Sequence, residues 1–363
     1  MKSHRLVKLF LTLLLLGGSC AFAQIQNFEW QNVQRQYLVR TPDAYENEIP
    51  VLFFLHGLGD NITRLDNEFH FQQIADQLGW AVVIPQALNE GYGTMWNAGL
   101  TASTTNDSGF LMALLDSLAQ PFQLNLDSVF FTGFSMGGFM SHRMAIEHGD
   151  RINAAAPVSG LITYSMANQI AVAPVRMLHI HGTSDNIVGY DGYSQYFNSN
   201  LGLGVDAILN YWRNANGCTN EPIIDSLPDT HNDGLRFVQY VYPGTKELRH
   251  LKAIGGDHSW YRNANQHDID YITYIHDFFT GKNVVNNVNN PTTGDLKVYP
   301  NPTNGQIKIE LNSPTTIEIV DIQGHTVLQQ QTDSCVVVLD LKGIQSGVYF
   351  VKAHGVTEKI VLE

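Results

Sequence analysis

Disulfide chemistry has almost no raw material in this chain. Cysteine occurs three times in 363 residues, at positions 20, 218 and 335, and the first lies in what reads as a cleaved leader. The other two fall in segments of different character, so no disulfide framework is expected even in an oxidising compartment, and the hydrophobic core must supply the stability. Basic residues are also in short supply. Lys and Arg number 21 against 34 Asp and Glu, for a net charge of −13. A surface that neutralises nucleic-acid phosphates needs clustered cations, and none are present, so nucleic acid is excluded as a partner. Long apolar runs are absent beyond Leu9–Leu16, which is too short to span a bilayer. With 44% hydrophobic and 15% charged residues, the chain is too apolar to be disordered, and its length suits one large domain or two.

What is present begins with a leader. Lys2, Arg5 and Lys8 form a basic region, Leu9–Leu16 an apolar one, and Ala21-Phe22-Ala23 a small-x-small cleavage site before Gln24, the pattern of a secretory signal peptide over residues 1–23. An uncleaved anchor is the competing reading, and Cys20 as a lipoprotein acceptor another, although Gly17-Gly18-Ser19 fits that box poorly. Cleavage removes three of the 21 basic residues and none of the 34 acidic ones, so the mature charge falls from −13 to −16. The mature chain then contains no membrane-spanning segment, and it is secreted or displayed at the cell surface after export through the periplasm.

Residues 51 to 280 alternate buried-strand runs with helix-period segments, the signature of a mostly parallel, doubly wound α/β sheet. Strands are expected at 51–55, 80–84, 129–132, 154–158, 175–180, 237–241 and 248–254, and helices at 69–78, 108–118, 137–148, 205–216 and 267–279. One α/β domain over 24–282 follows. At Asn283 the composition turns abruptly to Asn, Pro and Gly through NVVNNVNNPTTG, an uncharged linker over 283–294 that cannot bury a core. Beyond it, short β-type runs at 296–299, 306–311, 316–321, 336–339, 348–352 and 359–362 predict a small all-β sandwich over 295–363. Pro300 and Pro302 fix a turn before an edge strand, and Gly305 and Gly324 permit tight turns.

The tail, with LKVYPNPTNGQIKIEL, IEIVDIQGHTVLQQ and LDLKGIQSGVYFVKAHGVTEKIVLE, resembles the C-terminal sorting domain of type IX secretion substrates over its full length. The resemblance implies the type IX machinery as a partner. A carbohydrate-binding sandwich is the rival reading, but the tail lacks an obvious solvent-facing aromatic platform.

The sharpest chemical signal is Gly133-Phe134-Ser135-Met136-Gly137, between a strand and a helix. Glycines at both ends allow the strained turn that lifts a serine hydroxyl above the sheet with a helix N-terminus behind it. A serine hydroxyl is a weak nucleophile, so a histidine base and an orienting carboxylate are required, in the chain order Ser, acid, His. Asp185, in the loop after 175–180, is the expected acid, with Asp191 as its rival. His258, in the Gly-rich loop after 248–254, is the expected base. Among fourteen histidines it alone both follows the acid and ends a strand in such a loop. His142, His148, His179, His181 and His250 read as core, surface or supporting residues. The backbone N–H groups of Leu58, in His56-Gly57-Leu58-Gly59, and of Met136 are the expected oxyanion donors, and His56 itself is structural. Such chemistry needs no cofactor, and no metal site is expected.

Residues 32–281 resemble the secreted esterase family that includes feruloyl esterases, acetylxylan esterases and poly(3-hydroxybutyrate) depolymerases. The motifs are VLFFLHGLGD, MWNAG, NDSGFLMALLD, VFFTGFSMGGFMSHRMA, NAAAPVSG, MLHIHGTSDNIVGYDG, YWRNANGC and IGGDHSWY. The resemblance implies the same nucleophile, acid, base and oxyanion donors. Two departures stand out. Asp257 occupies a place where the family often has Gly, so its carboxylate is expected to perturb His258 or to bind a polar substrate group. Cys218 matches a family cysteine but finds no partner in the strand 237–241. Trp96 and Trp260 are candidate pocket walls for a sugar or an aromatic acyl group. The expected function is a secreted serine ester hydrolase acting on feruloyl or acetyl groups of polysaccharide. A polyester substrate is the alternative, and a serine peptidase or a non-catalytic surface binding protein stands behind it.

Overall fold

In a computed structural model, the protein is described at residues 24–262, 266–282, 296–311, 315–321, 325–334, 336–353 and 356–363. The leader, the linker at 283–294, Cys335 and Gly324 therefore lie outside the described residues. The described chain up to Ser226 together with His231–Tyr271 forms one compact unit, and Leu227–Thr230 with Ile272 onward forms a second.

The first unit runs β1 (Gln26–Trp30), β2 (Val33–Arg40), β3 (Ile49–Leu55), α1 (Ile62–Phe69), α2 (Phe71–Leu78), β4 (Ala81–Pro85), α3 (Asp107–Ala119), β5 (Leu124–Phe134), α4 (Met136–Glu147), β6 (Ala154–Val158), α5 (Tyr164–Ala167), β7 (Arg176–Gly182), β8 (Tyr193–Ser194), β9 (Ser199–Asn200), α6 (Val205–Ala215), β10 (Ile223–Ser226), β11 (Arg236–Tyr242) and β12 (Leu248–Ile254). Ten strands form one sheet in the order β1-β2-β4-β3-β5-β6-β7-β12-β11-β10. The six central strands, β4 to β12, are parallel, and the outer two on each side are antiparallel. This is the α/β-hydrolase fold, a doubly wound sheet of the kind that carries its chemistry at the carboxyl ends of the strands.

Among the central strands, β4 and β6 are continuously apolar with every residue buried, and they stand where expected. The outer strands β1, β2 and β10 escape the sequence reading because none is continuously buried: β1 and β10 have only exposed and half-buried residues, and β2 mixes exposed with buried ones. The expected helix 69–78 is α2, which starts at Phe71, and α1 before it lies outside the expected set. His70, at φ 53°, closes α1 and opens α2 in the left-handed region, so the apolar period runs across a corner. Asn61 caps α1, its side chain accepting from the Arg64 N–H at 3.0 Å.

The second unit holds α7, which begins at Tyr271 and ends at Phe279, and a β-sandwich. Strands β13 (Leu296–Tyr299), β14 (Gln306–Leu311), β15 (Thr315–Val320), β16 (Thr326–Thr332), β17 (Val336–Asp340), β18 (Gly347–Ala353) and β19 (Val356–Leu362) make a three-stranded sheet β13-β14-β17 and a four-stranded sheet β16-β15-β18-β19. Ile307, Ile309, Leu339, Ile317, Ile319, Val351 and Ile360 form its core, on the period-2 alternation of half-buried strands. Two differences from expectation arise. The strand after the Pro300/Pro302 turn is the middle one of three, and β16 went unread because it is a Gln-rich edge strand with mostly exposed side chains. Among the described residues no helix is long and apolar enough to cross a membrane.

Candidate active site

The chemistry gathers where β3, β5, β7 and β12 end. At the close of β5 the chain reverses sharply into α4, and Ser135 takes φ 55° and ψ −118°, a conformation that a non-glycine residue holds only when its surroundings enforce it. The enforcement is visible. The Ser135 N–H donates to the Val158 carbonyl at 2.9 Å, and a Cβ on Gly137 would stand 2.0 Å from the Leu55 carbonyl oxygen. Only glycine lets α4 start this close to β3. The Ser135 side chain makes no cap for α4, which leaves its hydroxyl unspent at the positive end of the helix dipole.

The loop after β3 comes up beside it. A Cβ on Gly57 would lie 3.6 Å from the Ser135 Cβ, so His56-Gly57-Leu58-Gly59 flanks Ser135. The loop is curled by bonds from Gly59 N to Thr94 O at 2.9 Å and from Asp60 N to Gly57 O at 3.3 Å. His56 is fully buried beneath it. Its Nε2 accepts the Ala87 N–H at 3.0 Å, which leaves Nδ1 to donate to the Gly57 carbonyl at 2.7 Å, and burial pushes its pKa below the ordinary imidazole value. The Leu58 and Met136 N–H groups are not taken up by any partner among the described residues, which leaves both able to donate to an anion.

Asp185 and His258 follow neighbouring parallel strands, β7 and β12, which pair His179 with His250 and Gly182 with Ala253. Their loops are stitched together: Ser184 N donates to Gly256 O at 2.8 Å and Thr183 N to Ala253 O at 2.9 Å. A Cβ on Gly182 would meet the Gly256 carbonyl oxygen at 2.3 Å. Asp185, almost fully buried, spends Oδ1 on the N–H groups of Ile187 and Val188 at 3.0 and 2.8 Å, and Oδ2 takes His258 Nδ1 at 2.7 Å. That bond places the imidazole proton on Nδ1 and aims Nε2 away from the acid. The His258 ring packs on Phe134, the residue before the nucleophile, with centroids 4.7 Å apart. Asp191, the rival acid, instead accepts the Tyr193 N–H at 3.0 Å.

Two expectations are corrected. Trp96 is 0% exposed and cannot wall an open pocket. Its ring packs against His56 with centroids 5.1 Å apart, and its Nε1 donates to the His56 carbonyl at 3.1 Å. Asp257 turns its carboxylate to the Tyr261 hydroxyl at 3.0 Å, so it serves the local turn. Trp260 stays near the site: half-buried, it contacts Phe54, Phe69 and Phe134 at centroid distances of 5.1, 5.6 and 6.4 Å. Cys218 is a buried free thiol directed at the Tyr242 carbonyl.

Two features went unread in the sequence. Arg35 and Asp107 form a buried ion pair at 2.7 Å, and the other Asp107 oxygen accepts the Asn97 N–H at 2.6 Å, tying the MWNAG loop to α3. Behind Asp185, a run of buried histidines is joined by hydrogen bonds. Trp212 Nε1 donates to His142 Nδ1 at 3.2 Å, and His142 Nε2 then donates to His179 Nδ1 at 3.2 Å. His250 bridges the His179 carbonyl and the Tyr190 hydroxyl at 2.9 and 2.8 Å. His181 donates Nε2 to the Val188 carbonyl at 2.7 Å and sits 3.6 Å from Asp185 Oδ2. Burial drives His142 and His250 each down to about 3, and His179 well below the usual value. These rings are therefore neutral supports rather than acids or bases. Their positions on adjacent strands emerge only from strand pairing.

The chain is similar to several known proteins. Residues 39–197 match the phospholipase/carboxylesterase family, and residues 297–363 match the secretion system C-terminal sorting domain. The chain is 28% identical over 236 residues to a bifunctional acetylxylan esterase/xylanase of Neocallimastix patriciarum, covering 63% of this chain and 31% of that protein. It is 25% identical over 249 residues to feruloyl esterase D of Neurospora crassa, covering 64% and 76%. An acetyl xylan esterase structure from Aspergillus awamori aligns over 69% of this chain and 99% of its own, at 15% identity and a TM-score of 0.48. The chain spans less than half the length of the first curated relatives it matches.

Proposed function

We propose that this carboxylesterase-type α/β hydrolase with a C-terminal sorting domain is a secreted serine ester hydrolase that removes feruloyl or acetyl groups from plant polysaccharide. One observation carries the chemistry: the 2.7 Å bond between Asp185 and His258, on loops converging beside the strained Ser135 turn. In the proposed cycle Ser135 Oγ attacks the ester carbonyl carbon while His258 Nε2 takes the hydroxyl proton. Asp185 holds the imidazole through Nδ1–H and stabilises the imidazolium, and the Leu58 and Met136 N–H groups bind the oxyanion. Collapse expels the sugar hydroxyl, protonated by His258, and leaves an acyl group on Ser135. Water, activated by the same base, then releases the free acid and restores the serine.

The polysaccharide ester is favoured because the curated relatives are named acetylxylan and feruloyl esterases. The test is product release by the full mature chain from methyl ferulate, acetylated xylan and poly(3-hydroxybutyrate). Ferulate or acetate release that Ser135→Ala abolishes, and that Asp185→Asn lowers by on the order of 10⁴-fold, is the expected result. Hydroxybutyrate release alone assigns a polyester depolymerase instead. Undiminished turnover in Ser135→Ala removes Ser135 as the nucleophile.

A further inference from the structure

The hairpin that follows the acid loop plays no part in the reaction above, and its surface is unusual for this chain. From Gly192 to Gly204 the sequence is GYSQYFNSNLGLG, thirteen residues without one charge in a protein whose mature net charge is −16. Its exposed large side chains are all aromatic: Tyr193 at 37%, Tyr196 at 69% and Phe197 at 48%. The Tyr196 and Phe197 rings stand at 86° with centroids 4.9 Å apart, two faces of an open corner. Between and beside them lie the exposed amides of Gln195, Asn198 and Asn200.

This corner is held in place. β8 pairs with β9 across its base, with Leu201 N donating to Gly192 O at 2.9 Å. Buried Ser194 accepts the Phe197 N–H at 3.0 Å, and a Cβ on Gly202 would strike the Ile162 carbonyl oxygen at 2.3 Å. The Tyr196 N–H donates to the carbonyl of Asn186 at 3.0 Å, and Asn186 directly follows the acid that holds His258. The hairpin is thus continuous with the catalytic loops.

We infer that Tyr193, Tyr196 and Phe197 form a docking platform for a neutral polysaccharide chain, which holds the polymer beside the ester being cleaved. The inference rests on the polysaccharide reading above. A pyranose presents flat C–H faces ringed by hydroxyls, which match aromatic faces flanked by amides and phenol groups. The patch has no cation for a phosphate or uronate, and no exposed large aliphatic side chain for an acyl chain or polyester.

The test uses the full mature chain carrying Ser135→Ala, so that binding is read without hydrolysis, in gels cast with soluble arabinoxylan. The expected result is retardation that Tyr196→Ala with Phe197→Ala weakens at least about fivefold. Tyr196→Leu, which keeps apolar area but removes the flat face, behaves the same way. In the active protein, the ratio of turnover on acetylated xylan to that on a nitrophenyl ester falls by a similar factor. Equal retardation of all forms overturns the platform, as does Tyr196→Leu binding like wild type. So does a wild type that ignores arabinoxylan but sediments with phosphatidylcholine vesicles or polyester particles. Because retardation is measured without catalysis, its loss leaves the ester hydrolase reading standing. Inactivity on every ester with retardation intact removes that reading alone.

Discussion

Trp96 Nε1 lies 3.1 Å from the carbonyl oxygen of His56, so a buried indole supports the strand end from which the proposed oxyanion loop departs. Replacing Trp96 by Phe keeps a ring but leaves that carbonyl without its donor. The expected cost is about 1–3 kcal/mol of stability, read from the denaturant midpoint. A kcat lower by about tenfold with KM nearly unchanged accompanies it, because the Leu58 N–H is no longer held in place. A raised KM with normal kcat points instead to a substrate-facing role.

Arg35 and Asp107 are 1% and 0% exposed at their side chains. Desolvation is the largest influence on both: it lowers the Arg35 pKa and raises that of Asp107 despite their mutual attraction. Burial of this pair therefore outweighs its Coulomb gain. Arg35→Met or Asp107→Asn alone strands a buried partner and is expected to cost about 3–5 kcal/mol. Arg35→Met combined with Asp107→Leu recovers a large part of that loss. A double variant as unstable as the sum of the singles contradicts the pairing.

Buried neutral histidines make the fold acid-labile. His142 and His250 are held down to about 3 by burial, whereas the unfolded chain binds protons near 6.5. The unfolded state thus takes up more protons between these values, so stability is complete above about pH 6.5 and drains as pH falls toward 3. Each histidine contributes up to about 1.4 kcal/mol per pH unit. Urea midpoints measured from pH 7.5 to 4.5 are expected to fall, less steeply in His142→Gln. A flat profile over that range would falsify the assignment.

Removal of residues 295–363, the sorting-domain sandwich, is expected to leave the protein in the periplasm with esterase activity recoverable from that fraction. Cell fractionation followed by an ester assay measures it. Normal surface delivery of the shortened chain defeats the sorting role.

The central parallel strands are readable in the sequence because burial on both faces makes them mostly apolar, as in β4 and β6, and Ser135, Asp185 and His258 are readable because each follows a strand in a short turn. The outer strands β1, β2 and β10 and the edge strand β16 are not, since half their side chains or more meet water and the apolar period vanishes. Trp96 misleads for a related reason: a tryptophan in a loop looks like a pocket wall until packing shows the loop folded inward.

Local chemistry thus determined the fold class, the glycine-bounded serine turn and the β-sandwich tail, each written in contiguous residues through periodicity and backbone sterics. Long-range pairing decided the rest. Asp185 and His258, 73 residues apart, meet because β7 and β12 are hydrogen-bonded neighbours. Arg35 finds Asp107 across 72 residues, and four histidines on α4, β7 and β12 fall into one buried run. No spacing in the chain records such contacts, because strand order is chosen by the burial of the whole sheet.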